Sequence, residues 1–295
     1  MRKTFLLSLV MCITLLTACN ITPTTPNNEI IQDGDYSYYF VSQQDGLANP
    51  GSGAILVDES QDIPKPYRDG YIIVGYTGVG GDLTLPQNAS DGTPVIGVGR
   101  SAFAQKENIR SVDIPEGYQY IFESAFAGAQ NLTSIHISAS VEYIASGIIF
   151  EHCDNLEEIQ ISEGNSIYFS ANNCIIQKEG MALIAGCRGS VIPQGTLSVK
   201  CGAFSERTGP REIHIPSSVT EIQSMSFIKC ESTKVFCIEG QPLAIGQHAF
   251  SDCASATIYC QANEPLENWD SLWRGNDLTG LTPVVWAYSC FACEE

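Results

Sequence analysis

The sequence predicts a repeat solenoid: about seven stacked coils of short parallel β-strands joined by tight helical or 3-10 turns. Three observations predict it. One landmark recurs, an apolar residue followed after a short spacer by a small or apolar residue and then Phe. It runs from Val98 to Phe103, Ile121 to Phe126, Ile144 to Phe150, Val199 to Phe204, Ile222 to Phe227 and Ile245 to Phe250. Successive landmark Phe residues are 23, 24, 54, 23 and 23 positions apart, a period that belongs to stacked repeats. Nine and eleven residues after most of them sit alternating apolar pairs, Val112/Ile114, Ile135/Ile137, Ile159/Ile161 and Ile213/Ile215.

Each element of the coil has a physical reason. Apolar residues alternating around one polar residue make a short strand with one face inward. Pro115 and Pro216 follow two of these strands and stop them without removing an interior ladder bond. The small-Phe pair, often with Cys three residues later (Cys153, Cys230, Cys253), fits a tight turn that plugs the centre of the coil. One such coil cannot bury its own apolar face, so neighbours must stack into a continuous core. A single ladder of Phe103, Phe126, Phe150, Phe204, Phe227 and Phe250 is therefore expected through that core.

The ends read differently. Arg2-Lys3 precedes an almost unbroken apolar run from Thr4 to Leu16, too short to span a bilayer comfortably and typical of an export signal. Residues 20–29 are a polar Pro/Thr tether that cannot bury enough apolar surface to order itself. Residues 30–95 are expected to form an N-terminal cap and opening coil, 96–260 the solenoid, and 261–295 a closing segment and tail. At 295 residues and 44% hydrophobic content the chain is long and apolar enough for a substantial core. Its 33 acidic residues against 15 basic give a net charge of −18, which repels phosphate backbones and argues against a nucleic-acid partner.

The pattern I-G-x-x-A-F-x-x-C-x-x-L-x-x-I-x-I-P resembles that of the BspA-like leucine-rich repeats of bacterial surface proteins. The resemblance spans about residues 71–288. Tyr71 to Gly97 is similar to that family's opening coil. Asn173 to Pro193 resembles its irregular long repeat and accounts for the 54-residue gap. Ile258 to Ala262 with Trp269, Trp273 and Pro283-Val-Val-Trp286 resembles its closing segment. The sequence departs from the pattern where Leu gives way to Pro210, Thr233 and Ala256, and the strands at Val235-Phe-Cys237 and Ile258-Tyr-Cys260 read as one residue early. Leu16-Thr17-Ala18-Cys19 resembles the bacterial lipobox. That likeness implies that Cys19 becomes a lipid-bearing N-terminus, anchoring an extracytoplasmic, surface-exposed protein to the membrane.

Candidate chemistry is sparse. With Cys12 in the signal and Cys19 given to lipid, ten cysteines remain. Cys230 and Cys253 share one repeat position, as Cys237 and Cys260 are read to do. These pairs are either disulfides between adjacent coils or buried thiols acting as small hydrophobes. Cys290-Phe-Ala-Cys293 is half a zinc site, so no metal is expected. His152-Cys153 is no catalytic pair, because neighbours in a turn point apart. Gly78-Val-Gly-Gly81 lacks the Lys and helix of a phosphate loop. The tryptophans either cap the last coil or stack on sugars. No cofactor and no catalytic group is expected, and the chain is expected to be a monomer.

The outward strand residues Asp113, His136, Gln160 and His214, with Arg110, Glu158 and Glu212 beside them, form a mixed polar row suited to a protein partner. The resemblance implies adhesion or binding to host or cell-surface proteins. The alternatives are a passive envelope protein and an extracytoplasmic hydrolase, the latter needing a clustered triad that the sequence does not display.

The lipobox makes a direct prediction. Cys19→Ala will move the protein out of the detergent phase, into the medium or into an uncleaved precursor; unchanged partitioning would contradict acylation at Cys19.

Overall fold

The computed structural model describes residues 29–44, 66–146, 148–206, 209–276 and 280–288. Cys19, Cys290 and Cys293 lie outside them. The expected solenoid is present, with about nine turns rather than seven. Six turns carry the Phe landmark. The opening strand Gly70–Tyr76, the long repeat and the closing segment each complete a turn without it, so counting landmarks undercounts coils.

Each Phe turn contributes a strand before the Phe and another after it, so two parallel sheets run along the stack. On one side Gly70–Tyr76, Val95–Val98, Tyr120–Ile121 and Tyr143–Ile144 pair in order. Two antiparallel strands, Ile30–Asp33 and Tyr36–Val41, pair onto Gly70–Tyr76 and cover that exposed edge. On the other side Gly81–Thr84, Ile109–Ile114, Ser134–Ile137 and Glu158–Ile161 pair in order, with one register shift between Gly81 and Asp82. A second set begins within the long repeat: Ala182–Ala185, Ser198–Val199, Glu221–Ile222 and Ala244–Ile245 on one side, and Glu212–Ile215, Val235–Ile238, Thr257–Cys260 and Val284–Val285 on the other. Between the sets, Tyr168–Ala171, Cys174–Gln177 and Ala182–Ala185 form an antiparallel meander.

Helical or 3-10 turns are expected from the sequence, but among the described residues only two three-residue 3-10 segments occur. Instead, left-handed residues flank the landmark Phe. Two positions before it stand Ser101, Ser124, Gly202, Met225 and His248, and two after it Gln105, Gly128, His152, Glu206, Lys229 and Asp252, all with φ between 49° and 75°. A non-glycine residue there costs about 1–2 kcal/mol. The conformation is held because it aims backbone donors along the stack. The N–H of Phe103, Phe126, Phe204, Phe227 and Phe250 each reaches a carbonyl of the following coil at 2.8–3.1 Å. The flanking residues do the same, as in Gln105 to Ala127 (2.7 Å) and Lys229 to Ser251 (2.9 Å). The third coil, with its extra residue, replaces the first left-handed position by the 3-10 segment Ile148–Phe150.

The Phe rings stack in two columns rather than one. Phe103, Phe126 and Phe150 follow one another at centroid distances of 5.3 and 6.1 Å, and Phe204, Phe227 and Phe250 at 5.3 and 5.0 Å. These columns belong to separate hydrophobic clusters. The long repeat divides them because Gly186 stands in the Phe place: its N–H donates to Ala203 O, the same acceptor position used by the landmark Phe residues. A Cβ on Gly186 would lie 2.3 Å from the Phe204 ring, so the ring occupies the space a side chain would need.

The repeat cysteines serve the same ladder. Cys153, Cys230 and Cys253 donate from Sγ to the carbonyls of Phe126, Phe204 and Phe227 at 3.0–3.1 Å. In the closing coil Thr282 Oγ1 takes that role toward Phe250 O at 2.6 Å. Cys253 and Cys260 are free thiols, so neither the Cys230–Cys253 nor the Cys237–Cys260 bridge is formed. The second pair is also out of register: Cys237 lies opposite Tyr259, and Ile238 opposite Cys260. The strand at 235–238 is not early after all. Phe236 and Ile238 face inward in line with Ile213 and Ile215, and only the last strand is advanced by one residue. Thr233, in a Leu position, is fully buried and satisfied by donating to Pro210 O at 2.9 Å.

Trp269 and Trp273 are 7% and 3% exposed, which leaves no face for a sugar. They pack with Trp286, Trp273 meets Phe250 edge-on at 5.7 Å, and Trp269 Nε1 donates to Pro242 O. The three tryptophans close the last coil.

Truncating a stacked ring, Phe227→Ala, is expected to cost about 3–5 kcal/mol by lost packing and cavity formation. The exposed change Gln160→Ala will cost less than about 0.5 kcal/mol. Gly186→Val, which adds atoms where the Phe204 ring lies, is expected to cost about 1–3 kcal/mol. Denaturant unfolding of the three variants checks this ordering.

Candidate functional site

The outward face of the strands after the Phe turns is the natural place for a site, because alternation forces every second side chain away from the core. The predicted row exists but is interrupted. Thr84, Asp113, His136 and Gln160 lie opposite one another in the N-terminal sheet. His214, Cys237, Tyr259 and Val285 continue the position in the C-terminal sheet. The long repeat separates the two, so His136 and His214 do not share a sheet.

In the N-terminal part the side chains are tied to each other. His136 Nδ1 lies 2.6 Å from Asp113 Oδ1 and its Nε2 lies 2.9 Å from Ser162 Oγ. With the Asp113 carboxylate accepting from Nδ1, Nε2 accepts from the Ser162 hydroxyl when the ring is neutral and donates to it when the ring is protonated. Arg110 pairs with Asp82 at 2.9 Å, and Ser111 Oγ donates to the other oxygen of the same carboxylate. Gln160 donates to Glu158 at 2.5 Å. The Arg110–Asp82 pair is about two-thirds exposed on both sides, so it orders the face more than it stabilises the fold.

Asp113, His136 and Ser162 have the connectivity of an acyl-transfer triad, which sequence reasoning missed because Ser162 lies just past the end of its strand. The surroundings do not match that chemistry. His136 and Asp113 are 42% and 43% exposed in their side chains, so water competes for both. The Ser162 N–H is committed to Ile137 O at 2.8 Å and is not free to stabilise an oxyanion.

At the interruption lies a groove lined by Asp154, Asn155, Arg188, Pro210, Arg211, Ser232 and Lys234. Arg211 and Lys234 are neighbours across the sheet, since Lys234 N–H donates to Arg211 O, and Arg188 N–H donates to Leu156 O from the long repeat. Three cations thus converge in an acidic chain. No spacing in the sequence places Arg188, which sits in the irregular repeat, beside the other two. In the C-terminal part, Glu212 is exposed at the start of its strand, while His214, Cys237 and Glu239 bring their ligand atoms within 4.8 Å of one another.

The profile of the BspA type leucine-rich repeat region matches residues 91–178 and 186–268, in six copies. The chain belongs to this family: it is a leucine-rich repeat solenoid. Among solved structures it is similar to a leucine-rich repeat protein from Eubacterium ventriosum ATCC 27560 (18% identity, 73% of each chain covered, TM-score 0.44). It is also similar to the leucine-rich repeat protein of T. pallidum (22% identity, 73% of this chain and 87% of that one, TM-score 0.41). A leucine-rich cell surface protein from Faecalibacterium prausnitzii A2-165 aligns over 90% of this chain and 96% of its own at 15% identity and TM-score 0.36. No curated protein matches. Among the described residues no helix is long and apolar enough to cross a membrane.

Proposed function

We propose that this chain is a lipid-anchored, extracytoplasmic surface module that binds a protein partner along its outward strand face and catalyses no reaction. The observation that carries this reading is the face itself. The polar cluster of Asp82, Arg110, Asp113, His136, Glu158 and Gln160 and, across the interruption, Glu212 and His214 flank a groove that gathers Arg188, Arg211 and Lys234. A mixed-sign surface on a stiff scaffold loses little conformational freedom on docking, which favours recognition of a complementary protein surface. Membership of a leucine-rich repeat family supports an interaction module, and the basic n-region, apolar run and Cys19 of the N-terminus support export and anchoring. Adhesion to host or neighbouring-cell proteins is the role such a tethered module would serve.

A binding screen of the extracytoplasmic body against extracellular-matrix and cell-surface proteins tests this. A specific partner is expected, and the combined change Arg188→Ala, Arg211→Ala and Lys234→Ala is expected to weaken it by about tenfold or more. Undiminished binding in that variant and in Asp113→Ala would move the contact off this face. Absence of any partner would favour a passive envelope protein. Labelling of Ser162 by a fluorophosphonate probe would reinstate the hydrolase.

A further inference from the structure

We propose that His214, Cys237 and Glu239 form a three-ligand site for zinc or a similar borderline divalent metal. The inference stands apart from the partner-binding reading, since it concerns one end of the face and would hold whatever that face contacts.

The placement follows from register. His214 and Cys237 are direct partners across the parallel pair Glu212–Ile215 and Val235–Ile238. Glu239 follows Cys237 by two residues and so projects on the same outward side, while Phe236 and Ile238 between and beside them fill the core. Three donors of three chemical types therefore converge from two adjacent coils, their ligand atoms mutually within 4.8 Å.

The spacing suits a metal of this class. With metal–nitrogen and metal–oxygen bonds of about 2.0–2.2 Å and a tetrahedral angle, adjacent N and O ligands sit roughly 3.3–3.5 Å apart. His214 Nδ1 and Glu239 Oε1 are already 3.3 Å apart. A sulfur at about 2.3 Å from the metal would lie roughly 3.6 Å from the nitrogen, inside the 4.8 Å within which the three ligand atoms already lie. Imidazole, thiolate and carboxylate together select zinc or a neighbouring transition metal over magnesium or calcium, which prefer oxygen alone.

The surroundings favour a bound cation. The Glu239 side chain is 10% exposed and Cys237 is 2% exposed, so a carboxylate and a thiol sit together in a largely water-free position. A divalent ion would neutralise the first and stabilise the thiolate of the second, whose proton leaves to solvent as the metal–sulfur bond forms. His214 is 38% exposed in its side chain, which gives the ion a way in and leaves the fourth position to water or an incoming ligand. Tyr259, the strand partner next in the row after Cys237, packs in a tilted pair with Tyr288 at a centroid distance of 4.7 Å on the C-terminal side. The net charge of −18 raises the local concentration of cations.

The test is titration of the reduced, metal-stripped protein with cobalt(II) alone and zinc(II) alone. Cobalt is expected to give a sulfur-to-metal charge-transfer band and tetrahedral ligand-field bands, displaced by zinc. These should persist when Cys290→Ser and Cys293→Ser remove the tail thiols, and vanish in Cys237→Ser. His214→Asn and Glu239→Gln, which preserve size, are expected to weaken binding by more than about tenfold with unchanged circular dichroism. If Cys237→Ser fails to fold, alkylation decides: zinc should slow modification of Cys237 in the unaltered chain and leave half-buried Cys201 unaffected. Bands that survive Cys237→Ser, bands lost with the tail cysteines, or alkylation of Cys237 indifferent to zinc would each overturn the site.

Discussion

In each Phe turn of this solenoid the coil must pass its backbone donors to the next one, and the left-handed residues around the Phe are what make that possible. An unsatisfied buried N–H costs about 1–3 kcal/mol, comparable to the strain of the left-handed conformation that avoids it. The exchange succeeds only if a following coil exists and lies in register. This is why Phe250 donates to Trp273 O and Thr282 caps the Phe250 carbonyl: the closing segment supplies to the last repeat what each repeat supplies to the one before. The thiols at 153, 230 and 253 each add a donor to the preceding Phe carbonyl, a hydrogen bond that a disulfide would remove.

The long repeat is where that constraint is met by other means, and its consequences reach the surface. Gly186 keeps the donor of the Phe position and surrenders the ring, so the hydrophobic column breaks while the backbone ladder continues through it. His152 N–H reaches directly to Glu206 O across the same break at 3.0 Å, joining the third landmark turn to the fourth. On the outer face the strand following the meander does not pair with Glu158–Ile161, and a groove opens there. The interruption that costs the core a ring thereby gathers Arg188, Arg211 and Lys234 on the strand face of an acidic chain.

Much of this was legible in the sequence, and the rest was hidden for identifiable reasons. The Phe spacing and the pairs such as Ile135/Ile137 announced the coil because both recur. The left-handed positions carry little such mark: only Gly128 and Gly202 are glycine, Ser, Gln, Met, His, Glu, Lys and Asp occupy the rest, and their strain is offset by neighbours that a single sequence does not reveal. In Val235-Phe-Cys-Ile238 either alternate pair is apolar, so periodicity could not choose the inward one. Choosing wrongly turned Cys237 toward the core and concealed its place beside His214. Asp113, His136 and Gln160 were found as a row because they share a repeat position; Ser162, beyond its strand end, and Asp82, in the opening coil, do not, and their bonds to His136 and Arg110 were missed.

Hydrogen exchange of individual amides measures the ladder most directly. The N–H groups of Phe126, Phe204, Phe227 and Lys229, which bond to the following coil, should be protected to nearly the same degree as the strand amides of Ile135 and Ile213, opening only when coils separate. The exposed turn at Glu163-Gly164 should exchange orders of magnitude faster. Turn amides that exchange as quickly as Gly164 while the strands stay protected would show that the turns are merely carried by the sheets, and would contradict the ladder as the interaction that joins coil to coil.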